Sequence, residues 1–154
     1  MIKEIANNVT FIGIEDTTLD LFEGLYKVPN GVTYNSVVFT DKVAAIMDTA
    51  DKRVSDEWLT LVKKVLKDRI PEYLIISHME PDHSANIDAI LKEYPDIKIV
   101  GNMKTFQMLP NFINTKVADD KKVEMKDGDV LDLGEHKLKF IMAPMIHWPE
   151  VMMS

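Results

Sequence analysis

The chain has 154 residues and no cysteine, with 46% hydrophobic and 28% charged residues. This is the composition of one globular domain, and it excludes disulfides, thiolate metal ligands and a cysteine nucleophile. The net charge of -7 makes nucleic acid a poor partner, because basic side chains supply most of the affinity for phosphate. The first residues lack the basic flank and apolar stretch typical of a signal peptide, and no apolar run is long enough to span a membrane. We therefore expect a cytoplasmic protein that binds neither nucleic acid nor membrane.

Strand-like segments dominate the first third of the chain. Residues 9–14 are apolar and β-branched, and a similar stretch at 32–39 follows the turn signal Pro29-Asn30-Gly31. Residues 43–47 form a short apolar run that ends at Asp48, which is typical of a strand buried on both faces. The sequence therefore predicts three strands here.

The middle of the chain alternates between strand and helix. Apolar residues recur at helical spacing across 54–69, with Ser55 as the candidate N-cap and Pro71 as the stop signal. Residues 73–76 are predicted to form a buried strand, and residues 87–94 an amphipathic helix.

The last third of the chain predicts one more strand, one helix and a hairpin. Residues 97–100 are the strand, and Asn102 is a plausible N-cap for the helix that follows. Residues 130–133 and 138–141 form a hairpin around Gly134-Glu135. Together with the earlier segments, this pattern predicts an α/β fold with mixed sheets.

The densest group of potential metal ligands is His78-Met79-Glu80-Pro81-Asp82-His83, which lies between a predicted strand and a helix. Such connections are where α/β sheets usually place their sites, and alternate residues of an extended stretch point the same way. Imidazole and carboxylate together suit iron, manganese or zinc, and four ligands in six residues suggest two adjacent ions. The alternative is that Asp82 and Ser84 only cap the next helix.

Two further histidines lie later in the chain. His147 follows the predicted hairpin, within Pro144-Met145-Ile146-His147-Trp148-Pro149, and is a fifth candidate ligand. A histidine beside a tryptophan is also a common packing pair, so His147 alone is weak support for a site. His136 lies in the hairpin turn, where we expect it to be solvated.

The spacing of these ligands resembles that of the metallo-β-lactamase superfamily, in which His-x-His-x-Asp-His follows a buried strand and another histidine comes some sixty residues later. Here Glu80 stands in place of the second histidine, and His147 has the expected interval. The glutamate, the surrounding Met-Glu-Pro-Asp-His-Ser and the His-Trp-Pro at 147–149 resemble the flavodiiron proteins, also called A-type flavoproteins. The segments at 31–36 and 47–49 are similar to that family too.

The resemblance implies the N-terminal portion of a metallo-β-lactamase-like αββα sandwich over residues 1–154, with a non-haem diiron site. It implies that His78, Glu80 and His147 bind one iron, and that Asp82 and His83 bind the other. A carboxylate in place of an imidazole favours iron over zinc, because carboxylate is the harder ligand.

The activity that the resemblance implies is reduction of dioxygen to water or of nitric oxide to nitrous oxide. In that family electrons come from a rubredoxin-like carrier through a flavodoxin-like FMN domain, and the subunits pair head to tail.

The family pattern also includes a bridging aspartate, a last histidine and the FMN domain, none of which has a candidate within these residues. We therefore expect a truncated domain that does not bind FMN and whose sheet has an uncovered inner face. Such a face predicts a homo-oligomer or a complementing C-terminal half.

Two other functions stay open. The first is a dinuclear zinc hydrolase, since most members of the superfamily use two zinc ions to activate water. The second is an inactive fragment that keeps part of the fold without a complete site.

Overall fold

The computed structural model describes residues 1–154 and has thirteen strands, four α-helices and three short 3-10 helices (Lys52–Val54, Leu109–Asn111 and Asp119–Lys121). The strands are β1 (Ile2–Ala6), β2 (Val9–Asp16), β3 (Leu21–Phe22), β4 (Tyr26–Lys27), β5 (Val32–Phe39), β6 (Ala45–Met47), β7 (Tyr73–Ile75), β8 (Lys98–Gly101), β9 (Lys122–Glu124), β10 (Val130–Asp132), β11 (Lys137–Lys139), β12 (Ile141–Met142) and β13 (Met152–Met153). The α-helices are α1 (Ser55–Leu66), α2 (Pro81–Ser84), α3 (Ile87–Glu93) and α4 (Met103–Met108). None of the helices is both long and apolar enough to cross a membrane.

Seven strands form the main sheet, in the order β1-β2-β5-β6-β7-β8-β9. The first four pair antiparallel, whereas β6, β7, β8 and β9 run parallel to one another. The predicted α/β fold with a mixed sheet is confirmed. The carboxyl ends of the parallel strands lie at one edge of the sheet, so the segments that follow β6 and β7 meet there.

The helices cover one face of the main sheet. A cluster of 20 buried residues fills this layer, and α1 contributes Trp58, Val62 and Leu66 at intervals of four residues. This spacing places the three side chains on one side of the helix, which is the amphipathic stripe that the sequence predicts. Burying each of them contributes roughly 1.5–3 kcal/mol to folding.

The chain's own hairpins cover part of the opposite face of the main sheet, so the expectation of an uncovered inner face holds only for the remaining part, where Val37 and Met47 are half-buried. A second buried cluster contains strand residues such as Ile75 and Val100, packed with Leu133 and Phe140 from the β10–β11 region. Three apolar side chains of these outer strands stay exposed to solvent. They are Val130, Ile141 and Met153, each 52% exposed.

The observed ends of α1 differ from the predicted ones, whereas the start of α4 agrees with its prediction. Ser55 is the first residue of α1 rather than its N-cap, since its hydroxyl donates to the carbonyl of Lys52. The helix ends at Leu66, because Lys67 adopts a left-handed φ of 56°. Asn102 caps α4 as predicted, accepting the backbone N–H of Thr105.

Candidate metal centre

The segment that runs from the end of β7 through α2 carries four of the predicted ligands. Glu80 immediately precedes α2, which begins at Pro81, and the Ser84 hydroxyl donates to the carbonyls of Met79 and Glu80. The helix turns the chain away from its extended direction. Of the three positions expected to share one side, 78 and 80 meet, whereas Asp82 lies outside this converging group. Asp82 makes no capping hydrogen bond, so the capping-only interpretation gains no support.

Three predicted ligands converge on one point. Nε2 of His78 lies 2.8 Å from Oε2 of Glu80 and 3.0 Å from Nε2 of His147. Oε2 of Glu80 is in turn 3.0 Å from Nε2 of His147. His78 and Glu80 are buried, while the side chain of His147 is 65% exposed. We call these three residues the triad.

The geometry of the triad fits a divalent metal ion. In an octahedral complex with bonds of about 2.1 Å, neighbouring donor atoms lie about 3.0 Å apart. The observed separations of 2.8 to 3.0 Å match this spacing. Two imidazoles and one carboxylate on one face form the ligand set of many non-haem iron sites, and zinc accepts the same donor types.

Asp82 and His83 form a second pair beside the triad. Nε2 of His83 lies 3.5 Å from Oδ2 of Asp82, and the rings of His83 and His78 are 5.3 Å apart. Oδ1 of Asp82 is buried without a hydrogen-bond partner, and burial raises the pKa of Asp82. A buried carboxylate oxygen without a partner is costly unless a cation lies nearby. The pair therefore fits a second ion next to the first, and the assignment of all five ligands stays a prediction.

A buried glutamate that sequence reasoning missed orients His78. Oε1 of Glu150 lies 2.7 Å from Nδ1 of His78 and accepts the backbone N–H of Met79 at 2.8 Å. Glu150 is fully buried although it follows the exposed His147 by only three residues. Its place in the His-Trp-Pro-Glu segment is the one signal that could have drawn attention to it.

A second missed carboxylate, Asp48, orients His83. Oδ2 of Asp48 lies 3.0 Å from Nδ1 of His83, and its Oδ1 accepts the backbone N–H of Ser77 at 2.8 Å. Burial alone lowers the pKa of His83, but the hydrogen bond to Asp48 and the nearby carboxylates outweigh it and raise the pKa. Asp48 directly follows a parallel strand beside β7, so its position at this edge of the sheet could have been inferred.

Glu23, in the turn between β3 and β4, brings another carboxyl group against Glu80. The hydrogen bond to Glu80 is the main cause that raises the pKa of Glu23. Burial raises the pKa of Glu80, but hydrogen bonds from Glu23 and His78 outweigh it, so the pKa of Glu80 is lowered. Glu80 therefore stays in the carboxylate form that binds metal.

A cavity of about 440 Å³ opens beside Asp82. Phe22, Val32 and Tyr34 line it, together with polar residues of the β2 and β5 ends. The Tyr34 hydroxyl is buried without a partner, and burial raises the pKa of Tyr34 to about 12, so it stays protonated. Of the five predicted ligands, Asp82 is the one that lines this cavity.

His136 takes no part in this centre, and it is partly buried, so the expectation that it is solvated holds only in part. Its Nδ1 lies 2.9 Å from Oδ2 of the buried Asp41, and its side chain is 28% exposed. The contact between His136 and Asp41 therefore connects the hairpin turn to the loop after β5.

Residues 32–154 match the family model described as ODP family beta lactamase. Diflavin flavoprotein A 1 of Synechocystis sp. is 35% identical over 99% of this chain and 26% of its own length. A flavo-diiron protein of Clostridium acetobutylicum is 33% identical over 98% of this chain and 38% of its own length. The structure of the rubredoxin oxygen:oxidoreductase of Desulfovibrio gigas superposes with a TM-score of 0.90 at 25% identity, covering 99% of this chain and 37% of that one.

The chain thus spans between a quarter and two-fifths of the length of these relatives. The β-lactamase-like fold and the resemblance to flavodiiron proteins, both predicted from the ligand motif, are confirmed. The chain belongs to the ODP family of beta lactamase-like domains.

Proposed function

We propose that this chain is the metal-binding part of a diiron oxidoreductase that reduces dioxygen to water or nitric oxide to nitrous oxide. The observation that carries the proposal is the triad, in which Glu80 replaces an imidazole and its oxygen lies within 3.0 Å of both histidine nitrogens. A carboxylate at this position suits iron, which can change its oxidation state, better than zinc, which cannot.

In this proposal His78, Glu80 and His147 hold one iron, and Asp82 and His83 hold the other. The chemistry that two irons supply when bound is delivery of electrons to dioxygen or nitric oxide. The chain's own residues do the positioning. Nδ1 of His78 faces Glu150 and Nδ1 of His83 faces Asp48. The Nε2 atom of each ring is therefore free to bind metal.

The cavity beside Asp82 suits a small substrate. Its lining combines the apolar side chains of Phe22 and Val32 with Tyr34 and Asp82. Diatomic molecules such as dioxygen and nitric oxide fit a space of about 440 Å³ with room to spare.

The electrons must come from outside these residues. We propose an FMN group on a flavodoxin-like domain, supplied by a rubredoxin-like donor, because the relatives are named for flavin, diiron and rubredoxin chemistry and are much longer than this chain. We also propose that the open apolar side chains of Val130, Ile141 and Met153 contact a complementing half or a second copy of the chain. A cytoplasmic location stays a prediction.

A dinuclear zinc hydrolase is the second candidate. The donor types of the triad suit zinc as well as iron, and the matching family model is described as a beta lactamase. An incomplete, inactive domain is the third. The metal content of the purified protein distinguishes these three candidate functions.

The experiment is purification without oxygen, with iron and zinc offered together, followed by elemental analysis. About two irons per chain, and consumption of dioxygen or nitric oxide by the chemically reduced protein, would support the proposal. Mostly zinc would favour the hydrolase, and almost no metal would favour an inactive domain. Glu80→His is the matched variant, and it should raise the ratio of zinc to iron if the carboxylate selects the metal.

A further inference from the structure

We propose that Glu150 is a positioning residue that holds His78 in the tautomer required for metal binding and strengthens it as a ligand through its negative charge. The inference rests on the proposed metal-binding role of His78, but not on the reaction that the metal performs.

The contacts of Glu150 fix where the proton of His78 resides. Oε1 of Glu150 accepts the backbone N–H of Met79, and the same oxygen lies 2.7 Å from Nδ1 of His78. An ionised carboxylate only accepts hydrogen bonds, so Nδ1 carries the proton. Nε2 then presents its lone pair to the point where Glu80 and His147 converge. Reversing the tautomer would place a proton where the metal has to bind.

The backbone around Glu150 is itself held in place. The side chain of Asn102, which caps α4, donates to the carbonyl of Glu150 at 2.6 Å. The backbone N–H of Met152 donates to the carbonyl of Ser77 at 3.0 Å. Glu150 is therefore anchored both to the start of α4 and to the segment that carries His78. An orienting group is effective only when it is rigid, and these contacts supply that rigidity.

The charge of Glu150 has no lysine or arginine partner. Glu150 is 0% exposed, its ion-pair partner is His78, and its Oε2 is buried without a hydrogen bond. Another buried carboxylate, Asp16, is paired with Arg53 in the usual way. An unpaired buried carboxylate is costly in the folded state. A cation on His78 offsets that cost, so the charge favours the metal-bound form over the metal-free one.

The test compares cobalt(II) binding to the wild type and to Glu150→Gln, followed by the visible absorption of the bound ion. Glutamine keeps an acceptor for both hydrogen bonds but removes the charge. We expect cobalt affinity to fall by roughly 10- to 100-fold, while the unfolding temperature of the metal-free variant stays within a few degrees of wild type. Asp41→Asn is the control, since it neutralises a buried carboxylate that contacts His136 instead of a predicted ligand.

Equal cobalt affinity for the wild type and Glu150→Gln would overturn the role of Glu150, as would an equal loss in Asp41→Asn. A second measurement needs no variant: nitrogen-15 NMR of the zinc-loaded wild type should show His78 protonated at Nδ1 and bound through Nε2. Binding through Nδ1 would overturn the inference. A wild type that takes up neither cobalt nor zinc would overturn the proposed function and this inference together. Iron-loaded protein that reduces neither gas would defeat the proposed reaction alone.

Discussion

Asp48 holds His83 from the side away from Asp82. Its Oδ2 lies 3.0 Å from Nδ1 of His83, and its Oδ1 accepts the backbone N–H of Ser77. Glu150 makes the same pair of contacts with His78 and Met79. Ser77 and Met79 flank His78, so both buried carboxylates bind the backbone of the same loop. In addition, Asp48 orients His83 and Glu150 orients His78. The ligands are therefore arranged by the fold itself.

Replacing Asp48 by asparagine should weaken the second metal site selectively. Asparagine tolerates the left-handed φ of 55° at this position, and its oxygen can still accept from Ser77. Its NH₂ group would then face Nδ1 of His83 and move the imidazole proton to Nε2. We expect the affinity for a second ion to fall by roughly 10- to 100-fold with the triad unaffected. Cobalt titration measures the affinities for the first and the second ion. Unchanged affinities for both ions would contradict this role for Asp48.

Replacing His147 by alanine should remove metal from the triad without disturbing the fold. The side chain is 65% exposed, so the stability of the metal-free protein should change by about 0.5 kcal/mol or less. Loss of one of three ligands should lower the affinity of the triad by about 100-fold or more. Isothermal titration with cobalt and thermal unfolding provide the two measurements. His136→Ala serves as the control histidine, and metal affinity lost equally in both variants would rule against the triad.

The ion pair between Asp16 and Arg53 should stabilise the fold in a pH-dependent way. The hydrogen bond from Arg53 is the main cause that lowers the pKa of Asp16 from 3.8 to about 2. A depressed pKa means that the stabilisation is complete above the unfolded-state value and is lost as the pH falls toward about 2. Because Arg53 is half exposed, we expect Asp16→Asn to cost about 1–2 kcal/mol at pH 6.

Denaturant unfolding at pH 6 and at pH 3 tests this difference, which should shrink at the lower pH. Glu93→Gln is the matched control. Glu93 pairs with Lys63 at 2.7 Å, but both side chains are exposed, so the expected cost is about 0.5 kcal/mol or less. A difference between wild type and Asp16→Asn that does not change with pH would show that the charge of Asp16 is unimportant.

Sequence patterns predicted the elements whose signals are local. The strand expected at 32–39 has those bounds in the structure, and its pairing with β2 covers Val9 to Asp16. The helix cap at Asn102 and the β10–β11 hairpin also follow from a few adjacent residues. Four of the five predicted ligands lie within six residues, so their nearness to one another needed no knowledge of the fold.

The parts of the fold and of the site that the sequence does not predict depend on contacts between residues far apart in the chain. β1 pairs with β2, but all five of its residues are exposed, so its sequence lacks the alternation that marks a half-buried strand. Glu150 lies 72 residues from His78, and Asp48 lies 35 residues from His83. No periodicity links residues so far apart. The partial cover of the inner face likewise depends on β10 to β13 folding back over the main sheet.

Replacing Asp41 by alanine should destabilise the contact between the β5–β6 loop and the β10–β11 turn. The carboxylate accepts hydrogen bonds from the backbone of Lys42, Glu135 and His136, and from the His136 ring. Burial raises the pKa of Asp41, but these bonds outweigh it and hold the pKa well below its usual range. We expect a fall in Tm on the order of 5 °C, measured by thermal unfolding at pH 7. The depressed pKa also predicts that the difference shrinks in acid.

The control for Asp41→Ala is Asp132→Asn. Asp132 accepts the backbone N–H of Gly134 in the same hairpin, but its side chain is 58% exposed. Water can replace most of what its charge contributes, so its Tm should change little. Equal losses of Tm in the two variants would mean that the buried network around Asp41 does not stabilise the turn beyond an ordinary surface carboxylate.

Replacing Trp58 by phenylalanine should cost less than the size of the lost ring suggests. Trp58 is 0% exposed, and its Nε1 is buried without a hydrogen-bond partner. An unsatisfied buried donor costs about 1–3 kcal/mol, and phenylalanine removes it while leaving a smaller cavity than alanine. We expect Trp58→Ala to lose about 3–5 kcal/mol and Trp58→Phe less than half of that. Urea unfolding followed by the fluorescence of Trp148 measures both, and equal losses would mean that the Trp58 N–H is satisfied in solution.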